Sequence, residues 1–322
     1  MKRTRFIVFC WCWFLLFNLG TLQILANPIG GGTTGGNAWP ELVTKKTPQG
    51  QTIIPLKRAG NLFLVEARID SMVGNFILDL GAPYLVLNAT YFRNYYRDYQ
   101  YLSGTMNASE SSVRRIKVDR LDLQGVSYEK LTADVTDLGE IENKRGIQVL
   151  GLLGVQLFRD FVIDIDVHNL RLILHNEFDA EQMDSPLVFK TSIQVINNVI
   201  LTKGQLNKVR LNLSIDSGSE TNVLNNKLPA KAYRNMKILK RTEIMDGQGK
   251  SSETLLAVPD GIVIEETSLR KMRSLILDLN TISKVYDSQI DGMLGYPFFA
   301  SGRVIIDFHR LELLLFQYKK LD

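Results

Sequence analysis

Cysteine is almost missing from this chain: the only two, Cys10 and Cys12, lie within the first 26 residues. That excludes a disulfide framework, a thiol nucleophile and a thiolate metal site from everything downstream. Histidine is nearly as scarce. His168, His175 and His309 are the only three, too dispersed for the clustered ligands that zinc requires, so neither metal nor cofactor is expected. The glycine-rich run 30–36 follows no strand and opens no helix, which excludes a phosphate-binding loop. No Ser-His-Asp set is suggested by spacing. The net charge of +4 is not arranged as a basic stripe, since Lys2, Arg3, Arg5, Lys319 and Lys320 sit at the two ends. Nucleic acid is therefore not expected as a partner.

Long apolar runs are missing too. The single candidate, 6–19, falls short of the ~20 residues of a membrane span. With a basic start before it and Ile24-Leu25-Ala26 after it, the run reads as a secretory signal peptide over 1–26. This predicts an exported protein, periplasmic or secreted; an uncleaved N-terminal anchor is the competing reading, and the only membrane contact expected. A flexible tether is expected over 27–50. Asn88, Asn107 and Asn212 head Asn-X-Ser/Thr sequences, which matter only in a glycosylating host.

What is present is a succession of short apolar runs such as Leu62-Phe63-Leu64-Val65, Phe76-Ile77-Leu78 and Phe161-Val162-Ile163. They are rich in β-branched and aromatic residues, broken by turn residues and without a 3.6-residue period, so they predict an all-β fold. Few helices are expected, chiefly over 89–98 and 228–236.

The chain also repeats itself. Ile77-Leu78-Asp79-Leu80-Gly81-Ala82 returns 137 positions later as Ser214-Ile215-Asp216-Ser217-Gly218-Ser219. Each copy then reaches Val-Leu-Asn, at 86–88 and 223–225. Gly151-Leu152-Leu153-Gly154 is echoed by Gly292-Met293-Leu294-Gly295, and Asp166-Val167-His168 by Asp307-Phe308-His309. Such a self-similar period marks a duplicated structural unit. Two β lobes follow, 51–185 and 186–322, with the charged stretch 175–185 as their boundary. The paired aspartates and histidines at 166–168 and 307–309 read as turn residues at equivalent strand ends.

The duplicated aspartate is the chemical signal. Asp79 and Asp216 each close an apolar strand, where a carboxylate is costly unless paired or hydrogen-bonded, and each is followed two residues later by a glycine that permits close backbone approach. Two such carboxyls meeting at one site cannot both ionise cheaply, so the pair shares a proton. That state suits general acid–base chemistry on a water held between them. Asp79 is flanked by Leu80 and Ala82, Asp216 by Ser217 and Ser219. Hydroxyls favour the charged form and apolar neighbours the neutral one, so Asp79 is expected to hold the proton.

The pattern apolar-apolar-Asp-Thr/Ser-Gly-Ser/Ala, followed by an apolar pair and glycine, resembles that of the aspartic peptidases. The resemblance covers nearly all of 53–322 and is to a single-chain, two-lobed form built from retropepsin-like repeats, as in exported bacterial aspartyl proteases. It implies two acid-protease-like β-barrel lobes with the active site between them. Asp79 and Asp216 become the catalytic pair, Gly81, Ala82, Ser217, Gly218 and Ser219 the supporting loops, and Gly154 and Gly295 the glycines of the adjoining ψ-loops. It further implies a monomer that hydrolyses peptide or protein substrates without a cofactor, and hairpin flaps near 103–112 and 246–252. In that family the two loop hydroxyls cross between lobes to the opposite backbone. Leu80 stands where the first would be, so a catalytically impaired homologue that binds peptide segments in the cleft is the alternative.

Overall fold

The computed structural model describes residues 43–45, 50–93, 95, 114–245, 251–269 and 272–318. The signal segment, the glycine run, the first expected flap and residues 246–250 of the second lie outside them. The described chain is all-β, with a few short helices. Regular structure starts earlier than the sequence suggests. Val43–Lys45, inside the expected tether, forms a strand antiparallel to Val126–Thr136.

Alternation of buried and exposed residues builds the strands. Along Gln51–Ala59, Ile54 and Leu56 turn inward while Ile53 and Lys57 face out, the period-2 pattern of a strand with one face in the core. Tight hairpins connect them. Asn197 and Asn198, at φ 48° and 67°, and Asn207 and Lys208, at φ 50° and 62°, each place two successive residues in the left-handed region. That is the turn matching the twist of paired antiparallel strands, and asparagine tolerates it.

The pairing pattern occurs twice. Met72–Leu78 runs parallel to Gly151–Leu153, with Leu78 opposite Leu153, and Gly151–Leu153 is antiparallel to Leu85–Asn88. Val209–Ile215 runs parallel to Gly292–Leu294, with Ile215 opposite Leu294, and Gly292–Leu294 is antiparallel to Asn222–Asn225. A third sheet joins the halves. Its six strands run in the order Gln51–Ala59, Arg171–His175, Val162–Asp166, Arg303–Asp307, Glu312–Phe316, Leu187–Ile196. At its middle, Asp164 stands opposite Ile305 and is fully buried. Arg303 Nε donates to it over 2.7 Å and His175 Nε2 lies 3.0 Å away.

One apolar core cluster includes Phe63 and Leu80 from the first half and Ile215, Phe298 and Phe299 from the second. In the boundary stretch, Phe178 packs on Val162, Ile305, Leu314 and Phe316 of the third sheet.

The helices differ from expectation. Of the first, 89–98, a helix is described over Ala89–Phe92 and residues 94 and 96–98 lie outside the described residues, while 228–236 holds just a 3-10 turn at Ala230–Tyr233, led in by Pro229. Two helices that no apolar period betrays, Gly139–Arg145 and Asn280–Val285, occupy equivalent places before the Gly-Leu-Leu and Gly-Met-Leu strands. No described helix is long and apolar enough to cross a membrane.

Candidate active site

The parallel strand of each half fixes the start of each aspartate loop. Asp79 N donates to Leu153 O over 3.1 Å and Asp216 N to Leu294 O over 3.0 Å. The far side of each loop is held by the residues after the glycines. Val155 N reaches Ala82 O, and Tyr296 N reaches Ser219 O, both at 2.8 Å. Contacts this close require glycine at 154 and 295. A Cβ at Gly154 would lie 2.1 Å from Tyr84 O, and one at Gly295 2.5 Å from Thr221 O. These two glycines thus lie against the aspartate loops of their own halves.

Asp79 and Asp216 are brought together. Both are buried, at 2% and 1% exposure, and their carboxyls share a hydrogen bond. Each faces the other loop's glycine. A Cβ at Gly81 would sit 2.5 Å from Asp216 Cγ, and one at Gly218 2.4 Å from Asp79 Oδ1. Within each loop the amides turn inward. Gly81 N and Ala82 N donate to Asp79 Oδ1 at 3.0 and 3.1 Å, and Gly218 N donates to Asp216 Oδ1 at 2.8 Å.

Burial pushes the Asp79 carboxyl well above the usual carboxylate range, and the charge of Asp216 and its hydrogen bond push the same way; the amides of Gly81 and Ala82 pull down and are outweighed. Burial and the neighbouring carboxyl thus favour the neutral form of Asp79. The serine hydroxyls give their protons elsewhere: Ser219 Oγ donates to Thr221 O at 2.7 Å and Ser217 Oγ to Leu78 O at 2.8 Å.

Ser217 crosses to the other loop. Besides donating to Leu78 O, its Oγ accepts from Leu80 N at 3.0 Å. Leu80 makes no return bond. Its side chain is buried in the core and offers no acceptor to the Ser217 amide.

The chain is similar to the crystal structure of Basic 7S globulin from soybean, with a TM-score of 0.46 and 10% sequence identity over 84% of this chain and 96% of that one. No family model matches the sequence. No curated protein matches it either.

Other residues that shape the site escape a sequence reading. Asn88 and Asn225, at the ends of the repeated Val-Leu-Asn, are loop pins. Asn88 Oδ1 accepts from Thr90 N and Leu138 N, and its Nδ2 donates to Val149 O. Asn225 Oδ1 accepts from Lys227 N and Leu279 N. Fully buried and bonded in this way, Asn88 cannot carry a glycan in the folded protein; the repeat was the signal of its role. Glu220 and Arg145 form an ion pair joining the second loop to the first half, which nothing in the residues around them signals. His168 is exposed, and Asp166 and Asp307 cap their turns through Asn169 N and Arg310 N, as turn residues should. Among the described residues no group of three His, Cys, Asp or Glu could hold a metal ion.

Proposed function

We propose that this protein is an exported aspartic endopeptidase of two homologous lobes, with its active site between them. The observation that carries this reading is the reciprocal packing of the two loops, each glycine against the other loop's carboxylate. The ionised Asp216 removes a proton from a water as its oxygen attacks the peptide carbonyl carbon. Asp79 gives its proton to the developing oxyanion, so the first intermediate is a neutral gem-diol. The proton held by Asp216 then passes to the departing nitrogen as the C–N bond breaks, and Asp79 recovers a proton from the collapsing diol. No cofactor enters any step, and the substrate is an extended peptide or protein segment.

Leu80 favours a second reading. Without its hydroxyl, one of the two bonds between the loops is missing, and a homologue that binds peptides without cleaving them would tolerate that loss.

Denatured protein substrate, incubated with the mature protein from acid to neutral pH beside Asp216→Asn, separates the two. Cleavage that disappears in the variant and is blocked by a statine-type inhibitor supports the peptidase. Peptide binding without turnover at any pH supports the binding homologue. Fractionation of the producing cells tests export.

A further inference from the structure

The hydroxyl bonds between the two aspartate loops run from one side only, and the chain carries a second fastening on the side where such a bond is missing. From the second half, Ser217 Oγ bonds both Leu80 N and Leu78 O. From the first half, Leu80 returns nothing to the second loop. Four residues beyond Asp216, however, Glu220 is buried and ion-paired with Arg145, the last residue of helix Gly139–Arg145. Its main-chain oxygen also accepts from Asn61 Nδ2 of the first half at 3.0 Å.

Several features hold Arg145 in place. A cation is favoured at a helix C-terminus, and Gly146, at φ 62°, closes that helix through its N–H to Glu142 O. Glu142 fixes the helix to the lead-in of strand Gly151–Leu153 and to helix Ala89–Phe92, because its Oε1 accepts from Val149 N at 2.7 Å and from Tyr91 Oη at 2.6 Å. The hairpin turn at Gly60 leaves room for the guanidinium. A Cβ there would sit 2.6 Å from Arg145 Nη1, and φ is +66°. Arg58 in turn braces this turn through Gly60 O.

The equivalent place in the other half lacks the ion pair, although Ser283 Oγ there accepts from Ile290 N as Glu142 does from Val149 N. Pro83 stands where Glu220 would be and Tyr286 where Arg145 would be, while Asn197, matching Gly60, donates to Tyr286 O at 2.8 Å. The ion pair thus occurs once, on the loop that Leu80 leaves unfastened.

We infer that Arg145 and Glu220, with Asn61, are positioning residues that take the place of the missing hydroxyl at position 80 and hold Asp216 in register with Asp79. The role in hydrolysis rests on the peptidase reading above; the role in aligning the two carboxyls does not.

The test is a cycle of Arg145→Met and Leu80→Thr in the full mature chain, with Arg145→Lys as a gentler variant and a thermal melt to establish folding. Two readouts are taken: kcat and KM on a cleaved peptide, and the titration of the aspartate carboxyls by carbon NMR. In the Leu80 background, Arg145→Met is expected to lower kcat about tenfold with little change in KM, and Arg145→Lys to recover part of the loss. In the Leu80→Thr background the same change should cost less than about threefold, because the two fastenings are coupled. The carboxyl titration should follow the same order, with the joint titration of the pair displaced by Arg145→Met and restored by Leu80→Thr. Equal losses in both backgrounds, or an unmoved titration beside a lowered melting temperature, would overturn the inference and leave the ion pair a stabilising contact alone. If no peptide is cleaved by any form, the titration arm still decides the positioning role, and only the peptidase reading falls.

Discussion

Asp79 and Asp216 end strands that are paired alike, beside glycines that pack alike, yet the two loops are fastened by different means. A serine hydroxyl from the second half holds the first loop by two bonds to its backbone. The second loop is held by an ion pair and an asparagine from the first half. What is common to both is what the proposed chemistry demands: two carboxyls in contact, each receiving amide hydrogen bonds from its own loop. What differs is how each half grips the other. The comparison indicates that geometry at the carboxyls is the constrained quantity, and that the fastening which produces it is free to vary.

If that is right, the glycines should be equally intolerant in both loops, and this is the largest effect expected. Gly81→Ala and Gly218→Ala each drive a methyl into the opposite carboxyl, and displacing reacting groups by about 1 Å can cost a hundredfold in rate. Each variant should lose about a hundredfold or more in kcat/KM, measured on one peptide under identical conditions. A tolerated alanine in one loop only would break the symmetry at its most essential point.

The carboxyls themselves should differ in what they do to stability as pH changes. Asp79 is held above its unfolded value, so between that value, about 4, and its folded one the native state keeps a proton that the unfolded state has lost. Stability then falls as pH rises through that window. Each unit of upward shift corresponds to about 1.4 kcal/mol. Asp79→Asn removes the titrating group, and its urea midpoint should decline less than that of the native chain between pH 4 and pH 7. Parallel curves would show that Asp79 is not the proton carrier.

Most of this site was legible in the sequence because it is repeated. Duplication turned two ordinary Asp-X-Gly turns into a pair, and the echoed Gly-Leu-Leu-Gly and Gly-Met-Leu-Gly marked the strands that support them. The helices were not legible. Gly139–Arg145 and Asn280–Val285 are too short to show an apolar period. The ion pair was hidden for the opposite reason. Glu220 and Arg145 have no counterparts in the first and second copies respectively, so a search for self-similarity passes over them. Ser219 misled in a third way: three residues after Asp216 in sequence, it sends its hydroxyl to Thr221.

The two serines therefore make a sharper comparison than their spacing suggests. Ser217→Ala removes a buried hydroxyl that serves two backbone groups of the other half. Leaving Leu80 N and Leu78 O without it should cost about 1–3 kcal/mol in urea denaturation. Ser219→Ala breaks a single bond within its own loop and should cost about 1 kcal/mol. Reversal of that order would mean that the local turn, not the contact between halves, governs stability.

Leu80→Thr is the subtlest change, because two consequences oppose each other. Leu80 is 1% exposed and belongs to the main apolar cluster, so shortening it sacrifices buried apolar surface, roughly 1–2 kcal/mol at about 25 cal/mol per Å². A threonine hydroxyl would supply the acceptor that the Ser217 amide lacks on this side, a neutral bond contributing about 1 kcal/mol. Net stability should then fall by no more than about 1 kcal/mol, a small shift in melting temperature. Activity should move the other way, rising a few-fold as both loops come to be fastened by hydroxyls. A fall in activity larger than the loss of stability would show that the apolar contact at position 80, and not the absent hydroxyl, is what aligns the carboxyls, and the two loops would then be equivalent in function despite their different residues.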